Sequence, residues 1–88
     1  MTLLHSDIIK IDILKALNQE KCELSMNLLR KKVGLVNYNS LIRNCEFLEL
    51  FGFINIEVKT IEDRSYYYVS ITKSGIEQLN KIKRVNYG

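Results

Sequence analysis

Between residues 7 and 17 the chain is apolar at Ile8, Ile9, Ile11, Ile13, Leu14, Ala16 and Leu17, with only Lys10, Asp12 and Lys15 as polar breaks. Ile9, Ile13, Ala16 and Leu17 share one face at helical spacing, while Ile8, Ile11 and Leu14 point away from it. The pattern predicts a first helix, capped by Ser6 or Asp7 and reaching about Asn18, that is buried on more than one side. Residues 21–24 form a connector or a brief strand. Ser25 then caps a second helix carrying Met26, Leu29 and Val33, which Gly34 ends in the left-handed conformation. Asn37 caps a third helix with Leu41, Ile42, Cys45 and Leu48 on one side, Tyr38 near them, and Asn39, Ser40, Arg43 and Asn44 on the other. After Gly52 the period changes to two. Ile54, Ile56 and Val58 alternate with polar residues, residues 62–65 interrupt, and Tyr67, Val69 and Ile71 alternate with Tyr66, Tyr68 and Ser70, which predicts a hairpin with a polar tip. Thr72 caps a fourth helix with Ile76, Leu79, Ile82 and Val85 along it.

The second and third helices are joined by a very short turn, so the pattern is helix-turn-helix followed by a hairpin, an α+β order. The 88 residues contain no repeat, no low-complexity tract and no proline, so residues 1–88 read as one domain. A 47% hydrophobic and 26% charged composition is that of a globular chain. A core this small gains from burial shared with a second copy. Ile8 and Ile11 on the first helix and Ile76, Leu79 and Ile82 on the last are therefore the expected homodimer contacts.

The net charge of +3 is unevenly spread. Residues 30–45 hold Arg30, Lys31, Lys32 and Arg43 and no acid, whereas residues 46–65 hold five acids, Glu46, Glu49, Glu57, Glu62 and Asp63, against Lys59 and Arg64. A cationic segment opening onto a polar helix face is the arrangement that phosphate contact needs. Asparagine and arginine form paired hydrogen bonds to adenine and guanine edges. Asn37, Asn39, Ser40, Arg43 and Asn44 are thus the expected base-reading set, and Arg30, Lys31, Lys32, Lys59 and Arg64 the expected backbone contacts. Phe47, Leu50 and Phe51 continue the third helix with apolar groups; they read as packing beneath the hairpin or the fourth helix, with a partner contact as the other option. The tyrosines at 66–68 read as strand formers, with base stacking as the minor alternative.

Catalysis is excluded by what is missing. No histidine neighbours a nucleophile, no glycine-rich phosphate loop occurs, and no two carboxylates share a buried face. Cys22 and Cys45 are isolated and His5 is the only histidine, so no zinc site can be assembled and no metal, cofactor or small-molecule ligand is implied. No run approaches the ~20 apolar residues of a membrane span, which gives a cytoplasmic, nucleoid-associated expectation.

Three strings carry a family resemblance: DILKAL at 12–17, FLELFGFI at 47–54 and YYYVSITKSG at 66–75. With the element order, they resemble the winged-helix DNA-binding proteins, in particular small archaeal transcriptional regulators and chromatin proteins, over residues 7–83. The resemblance implies that the third helix enters the major groove of double-stranded DNA and that the hairpin tip at 60–65 serves as a wing. It implies a sequence-specific transcriptional regulator; the alternative is a winged-helix module that docks on protein without touching DNA. The acidic pair Glu62-Asp63 beside Arg64 departs from a cationic wing.

Overall fold

The computed structural model describes residues 5–34 and 37–86, with side chains from Asp7 to Ile82. Its elements follow in the order α1 (His5–Glu20), β1 (Leu24–Ser25), α2 (Met26–Val33), α3 (Tyr38–Leu50), β2 (Ile54–Ile61), β3 (Arg64–Ile71) and α4 (Lys73–Asn86). The strands form an antiparallel sheet in the order β1-β3-β2. The architecture is α+β: a winged helix.

Helix boundaries follow the caps that the sequence announces. The Ser25 side chain accepts the Leu28 amide at 3.2 Å, and Gly34 closes α2 at φ 72°. Asn37 Oδ1 accepts both the Asn39 and Ser40 amides, at 2.9 and 3.2 Å. At the far end of α3 the Phe53 amide donates to Leu48 and the Gly52 amide to Glu49, the paired bonds of a Schellman closure, with Gly52 at φ 80°. Helix α1 differs from expectation. It already includes His5, so Asp7 lies in its first turn rather than at its cap, and the Ser6 and Val85 side chains lie outside the described residues.

The T-x-x-G string at 72–75 has a geometric cause. Thr72 Oγ1 donates to the Gly52 carbonyl at 2.6 Å and accepts the Gly75 amide at 3.0 Å, while the Thr72 amide donates to Phe53 at 3.0 Å. One residue thereby caps α4 and anchors it to the α3–β2 junction. Gly75 packs so closely there that a Cβ would come within 2.1 Å of the Phe53 carbonyl oxygen.

The core is built from Ile9, Ile13, Leu14 and Leu17 of α1, Met26 and Leu29 of α2, Leu41, Cys45 and Leu48 of α3, Ile54 and Val69 of the hairpin, and Leu79 of α4. Each fully buried leucine or isoleucine contributes about 1.5–3 kcal/mol relative to an exposed one. Leu79 is fully buried in the protomer, which corrects its assignment as a dimer contact. It is the α4 side chain that enters the shared core, while Ile76, about one turn earlier, is 37% exposed.

The hairpin is longer than its polarity suggests. Pairing continues from Ile54↔Ile71 to Ile61↔Arg64, so Arg64 and Ser65 belong to β3 and the turn is only Glu62-Asp63. Both turn residues have positive φ, 50° and 63°, the signature of a type I′ turn. Near α3 the sheet is buried; farther out Val58, Ile61 and Tyr67 are exposed. Among the described residues no helix is long and apolar enough to cross a membrane.

Candidate nucleic-acid interface

The turn between α2 and α3 presents the N-terminal half of α3. Asn39 and Arg43, one turn apart, are both exposed, and neither side chain has a partner among the described residues. Arg43 offers a planar five-donor fork and Asn39 a donor and an acceptor side by side. They line an open depression of about 500 Å³ with Lys10, Asn37, Ser40, Asn44 and Phe47.

Three residues expected to read bases are otherwise engaged. Asn44 is only 6% exposed, because it lies between Leu41 and Leu48 on the helix surface, and its Nδ2 donates to the Ser40 carbonyl at 2.8 Å. It is a packed, self-satisfied residue and leaves the exposed face. Asn37 is exposed, but its carbonyl oxygen is committed to the α3 cap. Ser40 is half-buried.

Lys10 is the residue that sequence reasoning missed. It stood out only as a charge within an apolar helix, yet its Nζ lies 5.2 Å from the centroid of the Phe47 ring and it lines the same depression as Asn39 and Arg43. Helix α1 thus brings a cation to the face of α3.

The five expected backbone cations divide into three groups. Lys31 and Arg64 are exposed and have no ion-pair partner among the described residues. Lys32 pairs with Glu20 and Lys59 with Glu23, both pairs at the surface. The Lys59 ammonium also lies 4.7 Å from the Tyr68 ring centroid, and its hydrogen bond to Glu23 pushes its pKa above the usual lysine value. Exposed pairs of this kind are weak and exchange readily for another anion. Arg30 is half-buried with its guanidinium over the Tyr38 ring at the start of α3, 5.9 Å from its centroid.

The C-terminal half of α3 differs chemically. Glu46 is exposed, Glu49 Oε2 accepts the Ile56 amide at 3.0 Å and so ties α3 to β2, and Phe47, Leu50 and Phe51 are 52%, 78% and 62% exposed. These three are not covered by the hairpin or by α4, contrary to the packing expected for them. Phe51 and Phe53, their rings 6.0 Å apart, border a groove with Ile11, Leu14, Leu48 and Ile82 between α1 and α4. Ile8 is exposed on α1, whereas Ile76 lines a separate depression with Asn18, Cys22, Ser70 and Ile71. Of the expected dimer contacts, Ile11 and Ile82 are brought together; Ile76 and Leu79 are not.

No protein-family model and no curated protein matches the sequence. Solved structures do match. A candidate transcriptional regulator, TA0346 of Thermoplasma acidophilum, superposes with a TM-score of 0.75 at 21% identity, covering 86% of this chain and 75% of that one. The candidate regulator ytfH of Salmonella typhimurium gives a TM-score of 0.72 at 25% identity over 86% of this chain and 65% of its own. A MarR-family transcriptional regulator of Silicibacter pomeroyi gives 0.69 at 20% identity over 89% and 50%. The chain therefore spans between half and three quarters of the length of these proteins. The α2–α3 pair, the hairpin paired onto β1 and these likenesses show that the chain has a winged-helix fold.

Proposed function

We propose that the protein binds double-stranded DNA sequence-specifically and acts as a transcriptional regulator. The observation that carries this reading is the exposed, uncommitted pair Asn39 and Arg43 on the half of α3 that follows the turn. A helix fits the major groove, arginine pairs with guanine and asparagine with adenine. Lys31 and Arg64 supply phosphate contacts directly, and Lys32 and Lys59 do so on exchanging their carboxylate partners for phosphate. Ser40 and Asn37 contribute backbone orientation. Solved proteins named as transcriptional regulators share the fold, which agrees with the reading.

The same reading includes a homodimer joined across the α1–α4 groove through Ile8, Ile11 and Ile82, with Phe51 and Phe53 added to the expected set. Two protomers would neutralise about 4 to 8 phosphates, so log affinity falls against log salt with a slope of about −4 to −7. The deciding experiment is duplex binding by Arg43→Ala and Arg64→Ala. Arg43→Ala loses roughly 1–3 kcal/mol at the preferred site and little on random duplex, while Arg64→Ala weakens both alike. Equal losses on both duplexes for Arg43→Ala would remove the base-reading role.

Leu50 and Phe51 favour a second reading, a docking module for protein, because exposed large apolar groups at the end of a helix mark contact surfaces. If the wild-type protein binds no duplex, specific or random, and Leu50→Ser abolishes its binding to a protein partner, that reading replaces the first.

A further inference from the structure

We propose that Phe47 is a specificity-determining residue that reads a thymine through its C5-methyl group. This inference rests on the DNA-binding reading above. Phe47 follows Arg43 by one helical turn on the same face of α3, and its ring is half exposed. It lines the depression that holds Asn39 and Arg43, and a second open depression with Arg43, Glu46 and Leu50. Phe51 turns instead toward Phe53 and the α1–α4 groove, so Phe47 is the aromatic ring that stays with the polar readers.

A phenyl ring can neither donate to nor accept from a base edge. The apolar feature that the unmodified major groove offers is the thymine methyl, and apolar side chains recognise it by contact. The Phe47 ring is also restrained, since the Lys10 ammonium from α1 lies over it, 5.2 Å from its centroid, in a cation–π contact. A restrained ring loses little freedom on contact, which favours a specific partner over a loose one. One turn of α3 advances about 5.4 Å along the helix axis, and the duplex rises about 3.4 Å per base pair. The thymine is therefore expected about two base pairs from the guanine read by Arg43.

The test can begin without a known site. Preferred duplexes are enriched from a random pool, and each thymine of the best one is replaced singly by deoxyuridine, which deletes the methyl and leaves pairing intact. At one thymine near the Arg43 guanine, uracil should weaken the wild-type protein about three- to fivefold, the worth of one buried methyl-sized group. Phe47→Ala should bind the thymine duplex about that much more weakly and be indifferent to uracil at that position, and Phe47→Leu should keep most of the preference. A wild-type protein indifferent to every single uracil, or a Phe47→Ala protein that retains the full uracil penalty, overturns the contact while duplex binding stands. Absence of any duplex binding by the wild type overturns the DNA-binding reading and the contact together.

Discussion

The two ends of the β2–β3 hairpin obey the same alternation and live in different environments. At its base Ile54, Ile56, Val69 and Ile71 pair across the ladder, Ile54 and Val69 are buried, and Thr72 and Gly75 lock the exit strand to the α3–β2 junction. At its tip Val58 faces Tyr67, Ile61 faces Arg64, all four are exposed, and two non-glycine residues occupy positive φ. A period of two reports which residues share a face; it does not report whether anything covers that face. The base is part of the domain core, and the tip is an arm whose shape is held by its own ladder.

The largest test of this contrast is Gly75→Ala. A Cβ at that position meets the Phe53 carbonyl oxygen at 2.1 Å and Ile71 Cγ1 at 2.7 Å, and the first obstacle is backbone that can give way only if α4 moves off the junction. The expected loss is about 3 kcal/mol, at the upper end of overpacking costs, read as a lowered midpoint in urea with an unchanged slope. A loss below about 0.5 kcal/mol would mean that the junction is loose and that the base of the hairpin resembles the tip.

Next comes a matched pair of truncations. Val69→Ala removes methyls from a fully buried site and should cost about 2 kcal/mol, whereas Val58→Ala on the exposed arm should cost less than about 0.5 kcal/mol. Comparable losses would show that the arm is covered in solution, by a second copy or another partner.

How far the sequence could be read depends on the same distinction between pattern and cover. Ser25, Gly34, Asn37, Gly52 and Thr72 each act within a few residues of themselves, and each holds the boundary that its type announces. Arg64 and Ser65 look like loop by polarity but pair in the ladder, because a two-residue turn brings them opposite Ile61 and Thr60. Asn44 and Leu79 turned on tertiary packing. The asparagine sits where Leu41 and Leu48 carry it into the interior, and the leucine is the α4 side chain that enters the core shared with α1 and α3. Lys10 had no signal in its own segment pointing to α3, since its neighbours in space are some thirty residues away in sequence. Of the base-reading set, Asn39 and Arg43 keep the exposure that the helical period assigned them.

The core carries a larger pH signature than the arm. Burial, reinforced by the nearby Glu46 charge, pushes the Cys45 thiol up to about 12 from 9.0. Above pH 9 the unfolded chain releases that proton while the folded chain keeps it, so stability is complete below about pH 9 and falls by about 1.4 kcal/mol per pH unit as the pH rises toward 12. The raised Lys59 acts in the same direction, although its exposed pair contributes little. Cys45→Ala should start lower at neutral pH and decline less steeply. Thiol labelling at pH 8 should modify the exposed Cys22 and spare Cys45; equal labelling would mean that α3 opens readily.

A change of sign is expected at the turn itself, where backbone strain and charge can be separated. Glu62 and Asp63 hold φ of 50° and 63°, a conformation in which glycine and asparagine are at ease and glutamate is not. The double change Glu62→Asn with Asp63→Gly should stabilise the protein by about 1 kcal/mol by relieving αL strain. If the arm frays separately from the core, the gain will instead appear as slower amide exchange at residues 58–67 with no change in global stability. The isosteric change Glu62→Gln with Asp63→Asn leaves the backbone burden in place and removes both negative charges beside Arg64. It should leave stability nearly unaltered and tighten duplex binding if the arm lies along the phosphates, most clearly at low salt, where exposed charges are least screened. Tighter binding by the asparagine-glycine variant alone would assign the benefit to the shape of the turn, and no tightening by either would direct the arm away from DNA.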